Sequence, residues 1–501
     1  MTKWLNVLKF KATGDGITDD SSAIQNAIDS LSKTGGTLFL PAGVYLMKKG
    51  VAVPMGVNIE GETYATTGPW QNWLDSQDKG NPIAPELSLN GAGDAWKDFS
   101  LFRGTWILVD HGAGDINSAP TFRMDGNTSI KKLGFVHMEL PPITATITPY
   151  PPAIGAYSTN ALYNTRDGIT VEDISLANPY IGIAFIIGDQ IDNTYLDQSE
   201  TQVSRSFGRH RIHNIMGGPL HTGILIKGVL DTIDINNIQF NYSNYESNYV
   251  KMRTQQATDL HLIRADGMNI ANLLSFGAYR GIFTESGYKS KNVSLRACNI
   301  NVEAVIPLSI HANGMYEITN SYFLMVNFSG LNTNPFSRAL EIFSDPDCVH
   351  QSFYLFNNCF FQNSVPCSVR ENAGKTDNID DTVIAVSLTA SHHASFSNCM
   401  FWGWGAYKGN TPAITYKHTC TGIPSCNFQD CTFTSESFNG ILADATGEVC
   451  KAGELVFSNC RFPYSLSILP NPLIWYKSCT ITGIDGTRKI LDRMFPDTEI
   501  L

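Results

Sequence analysis

Four short stretches late in the chain repeat one another: LFNNCFF (355–361), SFSNCMF (395–401), NFQDCTF (427–433) and VFSNCRF (456–462). Each sets alternating apolar residues before an Asn or Asp, follows it with a residue of buried type, and places an aromatic two positions on. Earlier copies carry an aliphatic residue or a serine where the cysteine stands: VEDISL at Ile174, RIHNIM at Ile215, DINNIQF at Ile238, NIANLLSF at Leu273 and EITNSYF at Ser321. Weaker copies are IKKLGF at Leu133, SLRACNI at Cys298 and WYKSCTI at Cys479. Successive copies lie from 19 residues (Cys460 to Cys479) to 41 residues (Leu133 to Ile174) apart. The short intervals are near the size of a single coil, and the long ones carry insertions.

Alternation of period two marks half-buried strands, and no sustained helical period lies between copies beyond the first rungs. Strands repeating at this irregular interval predict an all-β parallel β-solenoid, each coil burying its apolar face on the next. Neighbouring coils would lie about 4.8 Å apart. Equivalent positions then stack: the asparagines form a ladder at an inward turn, where their amides satisfy backbone groups, and the next position forms an interior column. Ten of the 11 cysteines fall between Cys348 and Cys479, the total is odd, and no CxxC occurs. The column explains them as small buried hydrophobes, free thiols suited to a reducing compartment of synthesis. Metal binding would need ligands converging tetrahedrally, which a linear stack does not supply.

The 501 residues are 43% hydrophobic and 16% charged, enough for a large core, and the net charge of −11 disfavours nucleic acid and anionic membrane as partners. MTKWLNVLKFKATGDG (1–16) has no signal-peptide core, and the longest greasy run, YIGIAFIIG (180–188), is too short to span a bilayer.

ATGDGITDDSSAIQNAI (12–28) holds three aspartates in six positions. Ser21 and Ser22 are good helix N-caps, and Ala23, Ile24, Ala27, Ile28 and Leu31 recur at three and four, so a short amphipathic helix capping the open end of the solenoid is expected. In that role Asp15, Asp19 and Asp20 are structural. The run NVLKFKATGDGITDDSSAIQNAID…GGTLFLPAGVYLM resembles the start of the pectate-lyase-like superfamily of right-handed parallel β-helices, as found in bacteriophage tailspikes and bacterial polysaccharide-degrading enzymes. ITPYPPAI, VEDISLANPYIGIAF, GGPLHTGILIKGVLDTIDINNIQF and IRADGMNIANLLSFGAYRGIF resemble its tailspike and glycoside-hydrolase-related branch. The resemblance implies a cap with the first strands over 1–50, a right-handed parallel β-helix with insertions over 51–480, and a tail over 481–501. It implies an endo-acting depolymerase of a bacterial capsule, exopolysaccharide or O-antigen, a homotrimer on a virion tail, made in the bacterial cytoplasm and acting outside the cell. No cofactor or metal is expected. Unlike a full-length tailspike, the sequence shows no obvious amino-terminal particle-binding domain, and only GIDGTRKILDRMFPDTEIL (483–501) follows the last coil.

Hydrolysis of a glycan needs two carboxylates, about 5–5.5 Å apart for retention or about 6.5–9.5 Å for inversion. A lyase needs a base beside a uronate and a cation for the resulting anion. Asp167, Asp231 and Asp266 each precede a repeat by seven residues; aspartate bonding its own turn explains the first two, while Asp266 stays a candidate beside Arg264. The insertion FNYSNYESNYVKMRTQQATDLHLIRAD (240–266) sets Tyr242, Tyr245 and Tyr249 around Glu246, with Lys251, Arg253 and Arg264 beyond. Aromatic rings stack on sugars and cations attract acidic ones; a solvated loop with packed tyrosines fits the segment equally well. GAYRGIFTESG (277–287) adds Tyr279, Arg280 and Glu285. Glu246 and Glu285 form the first carboxylate pair, with Asp266 third and hydrolysis preferred. His311, in LSIHANG, is the best lyase base, against a satisfied turn histidine. His210, His213, His392 and His393 match no metal spacing, and Trp70, Trp73, Trp96 and Trp106 suit a sugar groove or a patch beneath a loop. A lyase on a uronate-containing glycan and a non-catalytic glycan-binding adhesin are the alternatives.

Overall fold

The computed structural model describes residues 4–62, 103–137, 148–158, 167–188, 190–191, 207–229, 231–241, 247–286, 293–326, 338–344, 351–364, 382–388, 392–403, 412–418, 424–434, 441–447, 454–463, 473–482 and 487–493. They are almost entirely β, in two compact units, Met1–Gly277 and Ala278–Leu501.

In the first unit the helix Ser21–Asp29 buries Ile24, Ala27 and Ile28 against the 3-10 turn Val7–Phe10 and the strand Val51–Val53. All three opening aspartates are consumed locally. Asp15 accepts from Ile17 N, Thr18 N and Thr18 Oγ1; Asp19 accepts from the backbone and hydroxyl of Ser21. Asp20 is the N-cap residue, yet its buried carboxylate turns back to Thr13 N and Gly14 N. The helix is therefore tied to the preceding loop, not capped by a serine as its sequence suggests.

Parallel ladders then stack the repeat. Leu133, Ile174, Ile215, Ile238 and Leu273 lie in direct register on successive strands and are all buried. In the second unit the single strand Val293–His311 makes a complete circuit. Its first part pairs with Gly314–Thr319, its middle with Tyr322–Val326 and its end with Leu340–Phe343. Each of these three founds its own parallel series, for example Gly314–Thr319, Phe353–Asn357, His393–Ser397, Ser425–Gln429 and Glu454–Ser458. That connectivity is a coil of three strands per turn. Phe356, Phe396, Phe428, Phe457 and Tyr476 stack in register through its core, ring centroids 4.6–5.5 Å apart. The strand Arg488–Arg493 breaks the pattern: it returns antiparallel on Ile474–Thr482, covering an edge that would otherwise present unpaired backbone groups.

The residue before each interior position adopts the left-handed conformation: Lys132, Asp173, Asn214, Asn237, Asn272, Asn299, Asn320, Asn358, Asn398, Asp430, Asn459 and Ser478 all have φ between 51° and 58°. Asn and Asp tolerate this region better than other residues with a Cβ. Two details differ from the sequence expectation. The ladder faces outward, not inward: in the second unit its asparagines are exposed, and a side-chain bond joins one to the next from Asn358 Nδ2 to Asn320 Oδ1 at 2.7 Å. The left-handed backbone, more than any amide cap, is what selects Asn. The copy at Cys298 is also shifted: Asn299 is the left-handed residue and Ile300 the buried one, so half-buried Cys298 lies outside the column.

Cys359, Cys399, Cys431, Cys460 and Cys479 do form the column. Each is at most 2% exposed, and each Sγ donates to a carbonyl of the preceding rung, such as Phe396 O for Cys431 and Phe428 O for Cys460. The described cysteines are free thiols, and burial pushes that of Cys426 well up, which keeps it inert. Replacing Asn398 by Val is expected to cost about 1–3 kcal/mol through the left-handed backbone, whereas Asn398→Gly should be nearly neutral; urea unfolding compares them.

Candidate functional site

The third strand series of the second unit carries the polar cluster. In Leu340–Phe343, Leu340 and Ile342 point into the core, so alternation turns Glu341 and Phe343 to the outer face. Register sets Ser309 beside Glu341 and then Ala385, Thr415 and Asp444 along the same row.

Although it faces outward, the Glu341 side chain is only 6% exposed, because its neighbours close over it. Ser309 Oγ donates to Glu341 Oε1 at 2.6 Å, and His311 Nε2 lies 3.1 Å from the same oxygen. Arg338 Nη1 stands 3.7 Å from Glu341 Oε2. Burial alone would raise the Glu341 carboxyl, but the bonds from His311 and Ser309 and the charges of His311 and Arg338 outweigh it and hold it below its ordinary value. An ionised carboxylate only accepts. His311 Nε2 must therefore carry its hydrogen toward Glu341, so that in the neutral ring Nδ1 is the basic nitrogen.

The imidazole is held on both sides, edge-on to Phe283 at 5.2 Å and to Phe343 at 5.1 Å, while its side chain stays 32% exposed. The Arg280 guanidinium sits over Phe283 at 4.2 Å and near Tyr279 at 5.0 Å. Among the described residues no carboxylate is in ion-pair range of Arg280, and its buried Nε lacks a hydrogen-bond partner. The arrangement combines a base oriented by a carboxylate, an uncompensated cation one ring away, and apolar walls.

Of the residues expected from the sequence, Tyr279, Arg280, Glu285 and His311 belong to this unit, and Arg280, Tyr279 and His311 join the cluster through Phe283. Glu285 ends the strand Met268–Glu285, half-buried, two residues past Phe283. Tyr242, Tyr245 and Glu246 lie outside the described residues, as does the side chain of Tyr249 on the helix Ser247–Gln256. Asp266 and Arg264 belong to the first unit. Asp266 is exposed, and Arg264 is buried with left-handed backbone. Arg253, expected to attract acidic sugars, is instead buried on Asp259 (2.7 Å), which also accepts from Ser275 (2.6 Å); it anchors the inserted helix. Asp231 accepts from its own neighbour Thr232 N, as expected, whereas Asp167 accepts from Gly208 N and Arg209 on the next coil and ties two rungs together instead of closing its own turn. Trp106 is core, 1% exposed; Trp70, Trp73 and Trp96 lie outside the described residues. Buried His210 and His392 accept backbone N–H bonds from Ile169 and Ser352.

Sequence reasoning missed Glu341, Ser309 and Arg338. Glu341 did leave a signal: in ALEIF (339–343) an acid interrupts an apolar strand. Its partner lies 30 residues earlier, across an insertion whose length conceals the register.

Comparison with known proteins places residues 4–70 in a match to the family model described as rhamnogalacturonase A/epimerase, pectate lyase-like. Local sequence similarity links the chain to the tail spike protein of Shigella phage Sf6 (41% identical over 63 residues, 11% of this chain and 10% of that protein). A glucan 1,3-beta-glucosidase of Cochliobolus carbonum is 33% identical over 92 residues (17% and 11%), and a mannuronan C5-epimerase of Azotobacter vinelandii 52% over 46 (9% and 5%). The chain thus covers only 5–11% of the length of these relatives. In fold it is similar to lidless DFA-IIIase from Arthrobacter chlorophenolicus A6, with a TM-score of 0.51 at 10% identity over 95% of this chain and 99% of that one.

Proposed function

We propose that the chain is a pectate-lyase-like, right-handed parallel β-helix that cleaves a bacterial surface polysaccharide at an acidic sugar, as an endo-acting depolymerase. Parallel strands joined by crossovers are nearly always right-handed, and the three-strand circuit supports the solenoid. The observation that carries the activity is the Ser309–His311–Glu341 cluster flanked by Arg280 and Arg338. In this reading a guanidinium receives the sugar carboxylate and lowers the cost of the developing anion. His311 Nδ1 removes the proton on the carbon beside that carboxylate. The released pair forms a carbon–carbon double bond, the glycosidic C–O bond breaks, the departing oxygen takes a proton from water, and His311 returns its own proton to solvent to complete the turnover. Glu341 is a positioning residue: ionised, buried and bonded, it is a poor proton donor but a good holder of the ring.

Hydrolysis through two carboxylates is the second reading, favoured by Glu285 at the strand end beyond Phe283. The local similarity to the Sf6 tail spike supports a virion-tail location. The test is a panel of purified capsules and O-antigens, followed at once by reducing-end release and by ultraviolet absorbance. Elimination yields both signals, and both should fall together by about 10²–10⁴-fold in His311→Ala. Reducing ends without absorbance, lost in Glu285→Gln or Glu246→Gln, would move the chemistry to the carboxylate pair. Saturable binding without either signal would make the protein an adhesin.

A further inference from the structure

We propose that the second unit carries another glycan site, separate from the His311 cluster, in the groove along its left-handed turn; this rests on the carbohydrate reading above. The groove has a volume of about 840 Å³, and its walls include Tyr322, Phe360, Met400, Asn358, Asn398 and Arg461. It runs between the strand series founded by Gly314–Thr319 and by Tyr322–Val326, whereas His311 and Glu341 belong to the third series.

Two rows line it. Tyr322, Phe360, Met400, Thr432 and Arg461 are register partners on successive rungs. Beside them run Asn320, Asn358, Asn398, Asp430 and Asn459, exposed and left-handed. With rungs about 4.8 Å apart the rows extend for about 19 Å.

A primary amide has two N–H donors and two acceptor lone pairs. The ladder spends few of these: Asn358 donates to Asn320 at 2.7 Å and Asn398 to Asn357 at 3.4 Å. Each asparagine rung therefore offers spare donors and acceptors to whatever lies in the groove, and the Asp430 rung offers acceptors. The other wall is apolar at its first three rungs, where the Tyr322 and Phe360 rings pack 5.1 Å apart and Met400 is 42% exposed. A pyranose presents these two surfaces itself, hydroxyls around an apolar C–H face, and its length along a glycan is close to one rung. A polymer lying along the groove would meet the same pair of surfaces at each step. A second copy of the chain would call for a larger apolar patch than two ring edges and one thioether. The groove therefore holds the polysaccharide while the His311 cluster cleaves it.

The test uses the full chain with Asn358→Gly/Asn398→Gly, which keeps the left-handed backbone and removes the amides, and Met400→Glu, which puts a charge on the exposed strip. Affinity electrophoresis in gels containing polymannuronate, polygalacturonate, a linear 1,3-β-glucan or a bacterial capsule is run in the Glu341→Gln background. Both variants are expected to bind the retaining polymer about tenfold more weakly, and in the cleavage-competent background to raise KM with kcat unchanged. Unaltered retention and KM in folded variants would overturn the site and leave the cleavage reading standing. Retention that is lost in the variants, in a parent that cleaves nothing, keeps the groove and removes the cleavage reading; a parent that neither binds nor cleaves removes both. Sedimentation showing that the variants only dissociate copies of the chain, with glycan affinity intact, would make the groove a subunit interface and overturn the proposal.

Discussion

His311→Ala is expected to lower kcat/KM on the cleaved polysaccharide by about 10²–10⁴-fold, the usual contribution of a positioned acid or base, with the fold retained. The side chain is partly exposed and its ring contacts are with Phe283 and Phe343, so its loss should leave the core stacks in place. Glu341→Gln should cost activity by a similar order for a different reason: a neutral amide can turn its own N–H to the ring and stabilise the wrong tautomer. The two variants separate on the acid limb of the pH profile. Glu341 titrates below its ordinary value of 4.5, so its contribution to stability and to ring orientation is complete above that value. It is lost as the pH falls through the lower folded value. Glu341→Gln should erase this acid-side loss from the residual rate. Undiminished cleavage by His311→Ala would remove the histidine from the chemistry.

Phe428→Ala is expected to destabilise the second unit by about 3–5 kcal/mol, a large part of the roughly 5–15 kcal/mol that holds a domain folded. Its ring stacks on Phe396 at 4.6 Å and Phe457 at 5.0 Å and takes the edges of Phe401 and Phe433 at 5.5 and 5.8 Å. Deletion opens a hole between two rungs that rigid ladders on either side cannot collapse to fill. Asn427→Ala, the exposed neighbour on the same strand, is the control, with an expected change within about 0.5 kcal/mol. Urea unfolding with limited proteolysis measures both, and equal effects would contradict the stacked core. In a stacked coil each rung depends on its neighbours, so proteolysis should begin near the vacated rung.

The repeat was legible because two local demands coincide at one position. A left-handed backbone calls for Asn or Asp, and the next side chain must enter the core, so an Asn followed by Ile, Leu or Cys recurs whatever the loop length. Where only one demand was present the reading slipped: at Cys298 the cysteine drew attention away from Asn299–Ile300. The opening aspartates were also readable, since Asp15 bonds within three residues. The cluster was half readable. His311 and Arg280 stood out as types suited to chemistry, but Glu341 carries no local mark beyond an acid in an apolar strand, and Arg253, read as a cation for acidic sugars, is buried on Asp259. By itself, then, the sequence determined the rungs, the interior column and the thiol state of the described cysteines, because each depends on residues within a few positions of one another. Only the tertiary structure decided that Ser309, His311 and Glu341 meet, and that the asparagine ladder flanks an open groove. Both depend on register between strands separated by insertions of unequal length, and that register is settled by packing across rungs, not by local sequence.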